Sequence, residues 1–144
     1  ESFESPAKPD GIESQICELL EKLEMDDSVL ISSFEHFFFA RIHRWYRNQG
    51  KSTLPKVAPL QEAPLSEELA LGLCSRQGAY SFHPDENFVT PSLIETLKAD
   101  GFRIFPYTIN KEKRMEQLIQ WGVTGIISDE PELVWKVIRK LGVD

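Results

Sequence analysis

The residues best placed to do chemistry directly follow short apolar runs: Ser33 and Phe34, Gln61 and Glu62, His83, Tyr107 through Asn110, and Ser128 with Asp129. If those runs are parallel strands, these positions are strand C-terminal ends, where ligands meet an α/β sheet. His83, followed by Pro84, is the only histidine among them. Each candidate also has a plainer use. Asn110 suits a helix N-cap, and Asp129 could cap the last helix and favour its positive end. Ser33 could bond to the adjacent backbone, while Phe34 and Tyr107 suit a core as well as a ligand-facing wall. Cation chemistry needs two or more carboxylates or histidines converging on one point. Glu62 and Asp129 are acids at strand ends, but they are scattered. There is no HExxH, no pair of acids one residue apart on a strand and no glycine-rich phosphate loop. His36 and His43 lie seven residues apart on a helical pattern and read as solvent-facing or partly packed. Lys111, Lys113 and Arg114 read as a solvated helix face. On residues alone the chain is a ligand-binding α/β domain.

The elements that would position these residues alternate regularly. Ile12, Ile16, Leu19, Leu20 and Leu23 recur at three- and four-residue steps, the period of an amphipathic helix with one buried stripe. Residues 29–34 form an apolar run without alternation, as in a parallel strand covered on both faces. A helix is expected over 35–47, and Gln49-Gly50 with Pro55 breaks it. Residues 56–60 are a weaker strand candidate, because Pro59 is awkward in a central strand. Ser66 can cap a helix through Ser75, and residues 79–82 form a further strand. Thr90-Pro91 supplies an N-cap and a first-turn proline for the helix that ends before Gly101. A strand over 103–109 leads to a helix capped by Asn110 and stopped by Gly122. A last strand over 123–128 leads to a helix opened by Glu130-Pro131 and closed at Gly142. Five strands alternating with helices indicate parallel βαβ units. The first eleven residues, with Pro6 and Pro9, read as a loop.

The 144 residues can bury a real core, and 41% hydrophobic with 27% charged residues fit a globular domain. A formal net charge of −7 argues against nucleic acid or an anionic membrane surface as the main partner. It leaves room for a small phosphate-bearing substrate, since a bound cation inverts the local field. No apolar run approaches the roughly 18 residues of a membrane span. Cys17 and Cys74 fall within helical patterns and read as buried, reduced thiols, with a disulfide left open.

Residues 101–143 carry a more specific signal. Gly101-Phe102-Arg103-Ile104-Phe105-Pro106-Tyr107-Thr108-Ile109-Asn110, followed by Gly122-Val123-Thr124-Gly125-Ile126-Ile127-Ser128-Asp129-Glu130-Pro131, resembles the end of the glycerophosphodiester phosphodiesterase family. That family shows a G-x-x-V-x-x-W-T-V-N strand and then a G-V-D-G-I-I-T-D-x-P strand. Residues 29–34 resemble its strand ending in Ser-Phe, and His83-Pro84 and Thr90 fall where it has its next strand end and helix start. Tyr107 stands for the family's Trp, Ile109 for Val, Thr124 for Asp and Ser128 for Thr. The family's His-Arg-Gly start, metal-binding acids, second catalytic His and Glu-x-Lys strand do not occur here.

The resemblance implies an α/β fold, the C-terminal part of a (β/α)8 barrel with about five βα units in this chain. It implies hydrolysis of glycerophosphodiesters to glycerol phosphate and an alcohol, with a divalent cation such as Mg²⁺ or Ca²⁺ held by residues outside this chain. Phe34 and Tyr107 would give apolar surface near the glycerol or alcohol group, with Ser33, Glu62 and His83 as polar neighbours and no catalytic or metal-binding residue here. A non-catalytic relative that binds a ligand or partner, and a different (β/α) barrel enzyme acting on phosphorylated small molecules, are the competing readings.

Overall fold

The structure is a computed structural model and describes residues 11–143. The proposed opening loop therefore lies, but for Gly11, outside the described residues. The elements run α1 (Ile12–Lys22), β1 (Leu30–Ser33), α2 (Phe37–Asn48), β2 (Lys56–Gln61), α3 (Glu67–Gln77), β3 (Ser81–Pro84), a 3-10 turn (Glu86–Phe88), α4 (Pro91–Ala99), β4 (Arg103–Ile104), α5 (Glu112–Trp121) and α6 (Pro131–Leu141). The four strands are parallel and lie in chain order, β1-β2-β3-β4. This is an α/β fold whose sheet fits part of a barrel, with four regular strands rather than five. Among the described residues no helix is long and apolar enough to cross a membrane.

Most helix ends follow local signals. The Ser66 side chain accepts from Leu69 N–H and the Thr90 side chain from Leu93 N–H, with Pro91 in the first turn of α4. Gly122 ends α5 at φ 88°, a conformation that a Cβ disfavours. Asn110 does not cap α5: the cap is Lys111, with no side-chain bond, because the Asn110 amide is spent on Ser128 and Asp129.

Two of the expected strands change. Over 103–109 only Arg103–Ile104 is regular strand, because Pro106 has no N–H for the ladder. Phe105 N–H and Tyr107 N–H still reach the Phe82 and Pro84 carbonyls of β3 at 3.0 and 3.1 Å. The Tyr107-Thr108 peptide is cis. Residues 123–128 form no regular strand, yet they run beside that segment. Thr124 N–H bonds to the Ile104 carbonyl at 3.0 Å, Ile127 N–H to the Pro106 carbonyl at 3.0 Å, and Ile109 N–H to the Ile127 carbonyl at 2.9 Å. Conversely, the weaker candidate is a full interior strand. On the β3 side of β2, the Val57 carbonyl accepts from Tyr80 N–H and pairing resumes at Leu60 with His83. Pro59 falls in the gap, where no donor is required of it.

One core lies between the sheet and helices α3 to α6, built on Phe82, Ile94, Leu97, Ile104, Met115 and Leu118. A smaller one joins Cys17 of α1 to Ile42 and Tyr46 of α2. The stripe expected to be buried on α1 is largely turned outward: Leu19 and Leu23 are exposed, and the buried positions are Glu13 and Cys17. Their four-residue spacing defines a face rotated from the apolar stripe, and α2 packs on that face. Cys17 and Cys74 are free and buried, and burial pushes their thiols up to about 11 and about 12.

Gly125 is required by close packing rather than by a turn. A Cβ there would stand 2.6 Å from two ring atoms of Phe105, whose ring meets His83 edge-on at 5.5 Å. Gly125→Ala is expected to lower stability by about 1–3 kcal/mol, the range for overpacking, as read by urea unfolding; an unchanged midpoint would show that the Phe105 ring can move aside.

Candidate functional site

The strand ends converge as the alternation requires. At the end of β1, the Ser33 hydroxyl accepts from Glu35 N–H at 3.0 Å, and the Glu35 carboxylate accepts from Phe37 N–H at 3.0 Å, opening α2. Between these two bonds the chain turns with Phe34 held outward, 53% exposed. Its ring meets Tyr107 edge-on at 6.1 Å. β1 and β4 are the outer strands of the sheet, so this pair joins its two edges across the strand C-termini.

Tyr107 is fixed from its backbone. Its N–H bonds to Pro84, its carbonyl accepts from Glu86 N–H at 2.9 Å, and it forms a parallel bridge with Asp85. Its hydroxyl is buried without a hydrogen-bond partner among the described residues. Burial, then the charges of Asp85 and Glu62, push that phenol above its usual range. A phenol beside two carboxylates stays protonated, which makes it a hydrogen-bond donor. The structure thus brings together Phe34, Tyr107 and Glu62. It adds Asp85, which was not among the candidates, although its place directly after the apolar run and His83-Pro84 was a usable signal.

His83 lies apart from this group. It is buried, with Nδ1 2.7 Å from Ser32 Oγ and Nε2 2.9 Å from Ser81 Oγ. Burial drives its pKa down to about 4, so it is neutral at pH 7. Ser81 and His83 are two residues apart and share a sheet face, while Phe82 between them enters the helix-side core. The ring therefore spans from β3 to Ser32 of β1 on the face away from the helices. At the far strand end, Asn110 Nδ2 donates to Asp129 at 2.8 Å. Asn110 Oδ1 accepts from Ser128 Oγ at 3.1 Å and from Asp129 N–H at 3.0 Å. This network fastens residues 128–129 to the segment after β4.

The remaining histidines are more engaged than their helical spacing suggests. His36 Nε2 lies 3.0 Å from the Leu60 carbonyl, and His43 is buried. Among the described residues no group of three or more His, Cys, Asp or Glu side chains could hold a metal ion. Glu62 and Asp85 by themselves do not fit a cation site.

Comparison with known proteins identifies the family and supports the fold. Residues 5–133 match the model of the Glycerophosphoryl diester phosphodiesterase family. A glycerophosphodiester phosphodiesterase of Caldanaerobacter subterraneus subsp. tengcongensis is 32% identical over 132 residues, covering 92% of this chain and 51% of that protein. One from Bacillus subtilis is 26% identical, covering 92% and 46%. Among solved structures, a glycerophosphodiester phosphodiesterase from Parabacteroides distasonis superposes with a TM-score of 0.75 at 18% identity, covering 98% of this chain and 56% of that one. An Oleispira antarctica phosphodiesterase in complex with the product sn-glycerol-3-phosphate gives 0.69 at 19% identity, covering 90% and 51%. The chain spans about half the length of the curated relatives it matches.

Proposed function

We propose that this chain, which belongs to the glycerophosphoryl diester phosphodiesterase family, supplies the closing strands and one wall of the site in a complete barrel that hydrolyses glycerophosphodiesters to glycerol phosphate and an alcohol. Family membership supports the reaction. The observation that carries the assignment of the wall is the Phe34–Tyr107 pair, standing across the strand C-termini with a buried phenol hydroxyl that no described residue engages. The four strands have open edges at β1 and β4, and an eight-stranded closure would remove both. The outward apolar face of α1, with Leu19 and Leu23, is a surface that further barrel units would cover. In this reading a divalent cation, Mg²⁺ or Ca²⁺, would be held by residues outside this chain and would supply Lewis-acid chemistry there.

Each wall residue then has a defined part. Phe34 and Tyr107 present apolar surface to the glycerol or alcohol group and exclude water from it, and the Tyr107 hydroxyl donates to a substrate oxygen. Glu62 accepts from a substrate hydroxyl. Ser33 can still donate its proton while it accepts from Glu35. His83, with both ring nitrogens engaged, acts behind the wall by holding β1 against β3.

Hydrolysis of glycerophosphocholine and related head groups by the complete polypeptide, with and without EDTA, is the deciding assay. Turnover is expected with the complete protein and is expected to be lost on chelation, while the 144-residue chain alone is expected to be inactive. Chelation-insensitive turnover would remove the cation from the reading, and turnover by this chain alone would relocate the site. Tyr107→Ala in the complete protein is expected to lower kcat/KM about 30- to 100-fold, about 2–3 kcal/mol for a lost aromatic wall. Tyr107→Phe, which deletes only the hydroxyl, is expected to cost about 5- to 10-fold.

A further inference from the structure

The opposite end of the sheet carries a cluster that the proposed reaction does not use. Two adjoining cavities, of about 550 and 350 Å³, lie where α2 and α3 end and β2 begins. Both are lined by His43, Arg47, Arg76 and Gln77; Arg44 joins the smaller and Lys56 the larger. No Asp or Glu lines either one. In a chain of net charge −7, three arginines and a lysine gather here without an acid, two of the arginines, Arg47 and Arg76, in the last turns of α2 and α3.

These cations are also uncommitted. The ion pairs among the described residues use Arg41, Lys51, Arg114, Lys136 and Lys140. Arg44, Arg47 and Arg76 take part in none of them, and Lys56 makes only a contact over the Tyr80 ring, at 4.9 Å. Arg103 shares that ring, at 4.1 Å. His43 supplies an independent observation. It is only 9% exposed, and its ring bonds to the Pro55 backbone, which must be through the carbonyl because a proline has no N–H. Its Nε2 is buried with no partner among the described residues. A buried orphan ring nitrogen is costly unless something bonds to it, and this one belongs to a residue that lines both cavities.

We propose that these cavities form a second binding site, for a small molecule bearing a phosphate group, held by Arg44, Arg47 and Arg76 with His43 beneath it. The guanidinium forks match phosphate oxygens bidentately, and the neutral His43 ring, whose other nitrogen donates to the Pro55 carbonyl, offers Nε2 as an acceptor for a protonated phosphate oxygen. The cavity volumes suit a small phosphate ester rather than a protein segment. All lining residues lie on consecutive elements of this chain, so the site needs no residue from elsewhere. It is also independent of the hydrolytic reading, since none of its residues lies at the strand C-termini.

The test uses the full-length protein and two probes, inorganic phosphate in solution and vesicles containing phosphatidic acid. The readouts are the His43 ring and arginine Nε signals by NMR, and co-sedimentation with the vesicles. Phosphate is expected to shift the His43 and arginine signals saturably, with a Kd below about 1 mM, or about 4 kcal/mol of binding. Arg47→Gln with Arg76→Gln should weaken this at least about tenfold, since two charge-assisted contacts to the phosphate are lost. Circular dichroism confirms that the double variant is folded, and His43→Gln provides an independent disruption if it is not. Co-sedimentation that the same variant abolishes would name a lipid head group as the source of the phosphate, and saturation by inorganic phosphate alone would name a soluble ester. Non-saturating shifts that chloride reproduces, or binding unchanged in the variants, would overturn the proposal.

Discussion

Acidification from about pH 7 to about pH 4 is expected to remove about 3 kcal/mol of folding stability through His83 alone. In the unfolded chain its imidazole titrates at 6.5, whereas in the fold burial holds it to about 4. The unfolded state therefore binds the proton first, and stability falls as pH drops through the window between those values. Above 6.5 both states are neutral and the full stability is present. At about 1.4 kcal/mol per pH unit, the gap amounts to the stated loss. His83 is only 4% exposed, so solvent screening takes little from it. A proton on the ring would also turn both nitrogens into donors, leaving the Ser32 and Ser81 hydroxyls able only to accept. Urea unfolding across pH checks this, compared with His83→Gln, which does not titrate and should show a shallower slope between about pH 6.5 and about pH 4. The His83 ring proton shift, followed by NMR, gives its pKa directly if the variant folds poorly. Equal slopes, or a pKa near 6.5, would place the ring in water and contradict the two-serine clamp.

The same residue marks how far the sequence could be read. It was expected just past a strand over 79–82 and lies instead inside β3, one residue before its end, and the two serines that engage it come from different strands. Ser81 is legible by alternation, whereas Ser32 is 51 residues away and reachable only once the sheet order is known. Signals confined to one turn were read directly. Ser66, Thr90 with Pro91, and Gly122 act through bonds or φ values within three or four residues. Asn110 shows the limit, because its chemistry fits a cap, and only the return of residues 128–129 beside it diverts the amide. The short β4 and the irregular 123–128 segment have the same cause. An apolar run announces burial, and regular pairing also depends on where Pro106 and Gly125 meet their neighbours. Pro59 is the converse, acceptable in an interior strand because it falls between paired positions.

Glu13 was the least legible residue of all, and Arg41→Ala is expected to cost about 3–5 kcal/mol because of it, the range for leaving a buried charge unpaired. Helical period sets Glu13 beside the apolar stripe of α1, a position that no signal in the sequence marks as buried. In the fold it is buried, and one of its oxygens accepts from Arg41 Nε of α2. The other has no partner among the described residues. Its side chain is 3% exposed while that of Arg41 is 22% exposed, so the two partners are not equivalent. Deleting the arginine strands a charge that water cannot reach, whereas Glu13→Gln leaves a guanidinium that can still be hydrated and keeps a neutral hydrogen bond. The second change is therefore expected to cost about 1 kcal/mol, that of one ordinary bond. Urea unfolding of both single variants and of the double variant measures this asymmetry. In the double variant most of the Arg41→Ala penalty should disappear, because no buried charge remains to be compensated. A cost for Arg41→Ala no larger than that for Glu13→Gln would mean that solvent reaches Glu13, and that α1 and α2 are held together by Cys17, Ile42 and Tyr46 without help from the ion pair.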